Sequence, residues 1–394
     1  MANLNEFTLE NFKSYAHVCS EIALDMPDKD FDTLLLPSRG AMPVFMGALY
    51  ALDKIEDPKA EDFLNRLHAP KLIQDYAKIK GITTGKKENE INVLLCPFTA
   101  DLNMEQYRED VESSKFVDEM RDYWAEVISG FTKGKKERKK NQQLQFYLNL
   151  LENVENRKEL AEEYGNYPRV EKIAMIDTVI SGRASSTILK SFKKREIEPY
   201  SFLVVDKNGE RLKYPYSNDL LQAQNIGMAK KYNMNRLLTE DEGAHLEGIV
   251  AAVYPSLMFK GSNSISETEE FYPVGFKPFG AGSWHLPKEG SDCKRTYELF
   301  LNTLKKSVED CWESSSKTRS EMQESIDSLC IKLKEHAKNP EHETSESLNY
   351  VKQHANKIYV TGSGVVHICF SDNYNHAIIE GSKNYKQNNA NKNL

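Results

Sequence analysis

Two short stretches of this chain each carry an apolar run into a turn, and the first combines residue types suited to holding a phosphate. In EKIAMIDTVISGRASSTILKSF, residues 171–192, an apolar run reaches Asp177 and Thr178. It then breaks into Ser181, Gly182, Arg183, Ala184 and Ser185 before an amphipathic segment begins. Small residues at a helix start leave its leading amides open, and the helix dipole favours an anion there. Hydroxyls of Ser181, Ser185, Ser186 and Thr187 supply further donors. Asp177 cannot itself hold a phosphate, but a carboxylate accepts hydrogen bonds from sugar hydroxyls or helps hold a hydrated Mg²⁺. The second stretch is LLLPSRGAMP, residues 34–43, where another apolar run meets a turn containing Pro37, Ser38, Arg39, Gly40 and Ala41.

The elements that must position these turns follow from the hydropathy pattern. Continuous apolar runs predict buried strands at 33–36, 91–98, 173–176 and 200–209, with Asp177 as the residue that ends the third. Helical spacing is read at 8–25, with Thr8 as N-cap, from the Gly40 turn to Leu52, and from Ala184 to Phe192. Short buried strands alternating with helices form a parallel sheet covered by helices, and its ligand crevice lies beyond the carboxyl ends of the strands. Residues 37–41, 99–101 and 177–185 therefore share one rim. A helical insert is expected at about 102–168, carrying the basic run FTKGKKERKKNQQ, and a mostly helical stretch after 209 runs to about 255. Aromatics, prolines and glycines at 269–290 predict a hairpin or ordered loop. A helical region follows at 292–338, with Tyr297, Phe300, Leu301, Leu304, Val308, Cys311 and Trp312 in one apolar stripe. Short antiparallel strands are expected beyond residue 357. The domains are then 1–255, an accessory helical and α+β region at 256–383, and a polar disordered tail at 384–394.

The 173–185 stretch resembles the phosphoribosyl diphosphate signature of the type I phosphoribosyltransferases. There, four apolar residues lead to two acidic ones, an apolar pair and a small hydroxyl-rich loop for the 5′-phosphate. Here these are Ile173 to Ile176, Asp177 and Thr178, Val179 and Ile180, then Ser181 to Ser185. LLLPSRGAMP is similar to that family's diphosphate loop, with Arg39 and Gly40 in the basic and glycine positions. The resemblance covers about residues 30–206. It implies an α/β fold with a phosphoribosyltransferase-like parallel sheet flanked by helices, here with a large helical insert and a mostly helical C-terminal extension. It also implies Mg²⁺-dependent pentosyl transfer at the anomeric carbon of ribose 5-phosphate, in nucleotide metabolism. Arg39, with Ser38, Gly40 and Ala41, would take the diphosphate, Asp177 and Thr178 the ribose hydroxyls, Asp177 the metal, and Ser181, Gly182, Arg183, Ala184 and Ser185 the 5′-phosphate. Family members often close a mobile loop from between the second and third strands, the interval that holds Lys133, Lys135, Lys136, Arg138, Lys139 and Lys140. This chain departs from the pattern at Thr178, neutral where the second acid stands, and at Arg183, in a loop ordinarily built of small residues. A non-catalytic nucleotide or phosphoribosyl diphosphate sensor, or an interaction module of a bacterial stress or antiphage system, therefore stands beside the enzyme reading.

The 394-residue chain has 40% apolar content and a formal charge of -7, so bulk electrostatics does not support wrapping of nucleic acid. Six cysteines without a CxxC pair argue against a disulfide framework or a zinc knuckle. Neither a secretory leader nor an apolar stretch long enough for a bilayer is read, so the expected location is cytoplasmic, without a membrane partner. GxSxG, HExxH and GxxxxGK[ST] do not occur. The expected partner is a small phosphorylated sugar or nucleotide. A homo-oligomer or a protein partner through the C-terminal region stays open.

Overall fold

The computed structural model describes residues 4–38, 40–69, 78–79, 82, 90–95, 98, 111–142, 144–145, 148, 169–238, 271–273, 285–287, 292–313, 316–337, 357–360 and 366–369. Thr8 opens α1 (Leu9–Asp25) by accepting the Asn11 amide at 3.2 Å. β1 (Thr33–Leu36) is buried throughout, and so is every residue of α2 (Ala41–Leu52). A helix apolar all round belongs in an interior, and α2 touches the sheet, α1 and a C-terminal helix. Asp57 caps α3 (Pro58–Arg66), accepting the Lys59 amide at 2.8 Å, with Pro58 in the first turn. After β2 (Leu67–His68) and β3 (Ile91–Leu95) come α4 (Val111–Thr132), the single turn α5 (Lys135–Arg138) and β4 (Ile173–Val179). Next are α6 (Arg183–Lys193), β5 (Tyr200–Val205), α7 (Tyr216–Asn225) and β6 (Ala229–Asn233). β7 (Phe271–Pro273) and β8 (His285–Pro287) form an antiparallel ribbon, as do β9 (Lys357–Val360) and β10 (Val366–Cys369). Between the ribbons lie α8 (Asp292–Glu313) and α9 (Ser316–Ala337).

β1 to β6 form one sheet in the order β2-β3-β1-β4-β5-β6, and every pairing is parallel. Helices cover it, as α/β architecture requires. On one face Leu34, Leu36, Ala174, Ile176, Phe202, Val204 and Tyr232 join the core made with α1, α2, α8 and α9. On the other, Val179, Leu203, Val205 and Ala229 pack with Leu220 of α7 and Leu189 of α6. Asp32 fixes the start of the central pair: its carboxylate accepts the amides of Glu171 and Lys172 at 2.8 and 2.9 Å, so β1 and β4 begin level.

Three expectations need correction. β4 runs on to Val179, so Asp177 lies inside the strand and does not end it; Thr178 and Val179 continue the ladder with Val204 and Val205 of β5. The stretch after residue 209 is not simply helical, because Ala229–Asn233 is the sheet's sixth strand. Lys230 and Lys231 interrupt its apolar pattern, and such charges suit an edge strand. Part of the region read as an insert is a layer of the fold. A parallel step from β3 to β4 must cross over β1, and α4, lying within that connection, packs on α6. Trp124, Val127, Ile128 and Phe131 are buried there, and Arg195 after α6 forks Asp122 at 2.8 and 2.9 Å and reaches Glu126 at 2.7 Å.

The apolar stripe of α8 belongs to the same core as α1 and α2, with the Phe300 ring 5.6 Å from that of Phe12 and edge-on to Tyr15. Burial of the stripe ends at Val308; Cys311 and Trp312 are exposed. Lys13 pairs with the buried Asp310 at 3.0 Å, adding an ionic link between α1 and α8. Among the described residues no helix is long and apolar enough to cross a membrane.

Candidate functional site

The sheet order creates one divergence. From β1 the chain moves toward β3 and β2, and from β4 it moves toward β5 and β6, while β1 and β4 are themselves neighbours. The carboxyl ends of such a strand pair open a crevice, because their following loops leave in opposite directions. Both turns singled out in the sequence lie there. Ser38, at the end of β1, has its hydroxyl 3.1 Å from that of Thr178 on β4. It also accepts the Ala41 amide at 3.2 Å, which starts α2. Gly40 and Ala41 are buried beside it, and Gly40 has ordinary helical dihedrals, with φ at -66°. Arg39 lies outside the described residues, as do 99–101.

Across the crevice, Gly182 begins α6 with φ at +83°, a left-handed conformation that a side chain would strain. A Cβ there would also press on Leu220, Tyr216 and Leu212 at 3.2, 3.3 and 3.4 Å. With glycine as cap residue, no side chain closes the first turn of α6. The Arg183 amide donates to the Ser181 hydroxyl at 3.4 Å. Ser181 is held from behind, its carbonyl accepting the Lys213 amide at 3.0 Å. Ala184 and Arg183 are half-buried, and the Arg183 carbonyl accepts the Thr187 hydroxyl at 2.9 Å.

Asp177 behaves differently from a crevice-facing acid. It is 0% exposed, and both its oxygens accept donors: the Ser185 hydroxyl at 2.6 Å and the Thr178 amide at 3.0 Å. Burial pushes its carboxyl up to about 6, against the pull of hydrogen bonds from Ser185 and Ser38, the Arg121 guanidinium and the Thr178 amide. Strand parity explains the placement. Ile176 and Thr178 share the α2 face, so Asp177 points with Val179 into the layer of α4 and α6. Thr178 is 5% exposed and engaged with Ser38. Among the described residues no group of three or more His, Cys, Asp or Glu side chains is placed to hold a metal. Asp177, with both oxygens engaged, is not presented to a cation in this arrangement.

Arg121 is the contributor that sequence reading missed. Its signal was a cation at helical spacing from Trp124, Ala125 and Ile128, on the stripe that α4 buries. The basic run considered as a lid sits elsewhere. Lys133 lines a groove with Lys172, Ile173 and Arg195, beside the start of β4, and a seven-residue strand separates that start from the crevice by roughly 20 Å. Arg138 of the same run is buried, donating to the Phe131 carbonyl at 3.3 Å. The run therefore closes the end of α4 at the amino edge of the sheet. No family model matches this chain, nor does any curated protein or solved structure.

Proposed function

We propose that this protein binds a phosphorylated pentose or nucleotide of the phosphoribosyl diphosphate type in the crevice between the carboxyl ends of β1 and β4. One observation supports the reading: the turn after β1, which resembles a diphosphate loop, and the strand that leads into the Ser181–Ser185 turn meet through Ser38 and Thr178 at the sheet's divergence. The 5′-phosphate belongs at the start of α6, where the uncapped turn and the helix dipole favour an anion. The diphosphate belongs at the Ser38–Ala41 turn, with Arg39 as its charge-assisted donor. In the enzyme reading a nitrogen nucleophile forms the new bond to the anomeric carbon, and the bond to the diphosphate breaks with its electron pair on the leaving group. The protein's share is to hold both phosphate ends and exclude water. Mg²⁺ enters this reading only as the counter-ion of the ligand's diphosphate.

The sensor reading draws on a separate observation. Asp177 and Thr178 are both engaged inside the protein, so the crevice is equipped to bind anions more evidently than to stabilise a ribosyl cation. Titration calorimetry with phosphoribosyl diphosphate, with and without Mg²⁺, tests the site. Saturable binding that weakens in R39A and G182A is expected, whereas no heat with this ligand, ribose 5-phosphate or inorganic diphosphate at millimolar concentration removes the proposal. Diphosphate release over a panel of bases then separates enzyme from sensor.

A further inference from the structure

We infer that Asp206 and Arg211 are positioning residues for the 5′-phosphate turn: a buried strut from the end of β5 that holds Ser181 in place without touching the ligand. The inference rests on the reading that the Ser181–Ser185 turn holds a phosphate, but the strut's geometry stands without one. Asp206 follows β5 directly and is 0% exposed. Its carboxylate accepts three donors: the Leu237 amide at 2.8 Å, the Arg236 guanidinium at 2.9 Å and the Arg211 guanidinium at 3.1 Å. Arg236 and Leu237 follow β6, the neighbour of β5, so the acid pins the ends of two adjacent strands. Arg211 is its link to the loop that comes next.

Arg211 returns to an acid five residues earlier because the chain between them curls tightly. Lys207, Asn208 and Gly209 take φ of 46°, 53° and 93° in succession, a left-handed run that residues with a Cβ rarely adopt. Strained backbone of this kind persists where its surroundings over-determine it. Here the Asn208 amide donates to the Met234 carbonyl at 3.1 Å and the Glu210 amide to the Lys207 carbonyl at 3.0 Å, while the pair of Arg211 with Asp206 closes the loop. The loop then meets the phosphate turn. The Lys213 amide donates to the Ser181 carbonyl at 3.0 Å, and Leu212 stands against Gly182. Ser181 and Gly182 therefore lean on a loop whose anchor is a buried acid with two guanidinium partners. With three donors and no exposed surface, Asp206 does not meet sugar or phosphate, and its effect on a ligand passes through the loop. A turn already held in place loses less freedom on binding, so the strut bears on affinity.

Amide exchange and ligand binding on the full chain test this with R211M. Exchange of the Lys213 amide is expected to rise about tenfold, the worth of one hydrogen bond to a charged group. The Ala41 amide, on the opposite turn, should stay as protected as before, and R211K, which keeps the charge beside Asp206, should restore most of the protection of Lys213. Ribose 5-phosphate is expected to bind about tenfold more weakly to R211M, while inorganic diphosphate, which belongs to the Ser38–Ala41 turn, keeps its affinity to within about twofold. Equal losses of both ligands would show general loosening, and a loss of ribose 5-phosphate with Lys213 exchange unchanged would show direct contact by Arg211; either overturns the inference, as does R211M matching the unmodified protein throughout. Should R211M fail to fold, R211Q, which keeps a donor without the charge, decides by the same readings. If the unmodified protein binds neither ligand, the proposed function fails and the Lys213 exchange alone decides the strut.

Discussion

Replacing Asp177 with Asn removes a buried titration, and its size can be worked out beforehand. The group titrates at 3.8 when unperturbed and at about 6 in the folded protein, where it is fully buried. Between those values the native state binds the proton that the unfolded chain has released, so stability must fall as pH rises. The favourable contribution of the neutral acid is complete below pH 3.8 and is lost as pH rises through about 6. At about 1.4 kcal/mol per pH unit, the span corresponds to about 3 kcal/mol. Asn carries no titration, so the difference in unfolding free energy between D177N and the unmodified protein should climb by about that amount from pH 3.8 to pH 6, then level off. All other titrating groups are shared and cancel. Urea unfolding at half-unit steps of pH, with the denaturant slope checked for constancy, measures the difference directly. The offset of the curve reports the hydrogen bond that the amide distorts; its shape reports the charge. A difference that stays flat, to within about 0.5 kcal/mol, between pH 4 and 7 would mean that Asp177 is solvated or lacks these neighbours.

Gly182→Ala should destabilise the protein by about 1–2 kcal/mol from the left-handed backbone alone, and it should weaken phosphate binding because α6 must shift away from Leu220 and Tyr216; an unaltered unfolding midpoint would contradict the turn geometry. Gly47→Ala would place a methyl 2.5 Å from the Cys19 sulfur and 3.1 Å from Leu304, at the junction of α1, α2 and α8. Overpacking of this kind costs about 1–3 kcal/mol, and limited proteolysis should then cut within residues 292–337 sooner than in the unmodified protein; equal cleavage rates would argue that α8 is not fixed to this core.

Much of the sheet could be read from the sequence because its central strands are buried on both faces. Thr33–Leu36 and Ile173–Ile176 need no alternation, and a continuous apolar run bounded by a turn is a strong local signal. The edges were harder to read. β6 carries Lys230 and Lys231 in its middle, and Lys230 reaches back to Asp25 of α1, a partner that sequence spacing cannot supply. β2 is two residues long, and α3 announced itself only through Asp57 and Pro58, a cap and first-turn signal easily passed over in a polar stretch. The role of α4 followed from topology: helix was expected in this stretch, but the need for a crossover appears only once β3 and β4 are known to flank β1.

The site shows the same division. Which residues gather at the crevice was legible, because a parallel sheet places strand ends together whatever the intervening chain does. Which way Asp177 points was not, since β4 runs two residues past it, to Val179, and strand parity sends it into the layer of α4 and α6. That placement gives Thr178 a physical reason. A carboxylate at 178 would be 5% exposed, next in the chain to a fully buried carboxylate, with Arg121 as the cation bearing on the pair among the described residues. Two acids so placed cannot both ionise without large cost, and one would hold its proton. Thr178 avoids that conflict while keeping a hydroxyl for Ser38, so the neutral residue at 178 and the internal carboxylate at 177 are one arrangement: the negative charge stays inside, against Ser185, and none is added beside Ser38.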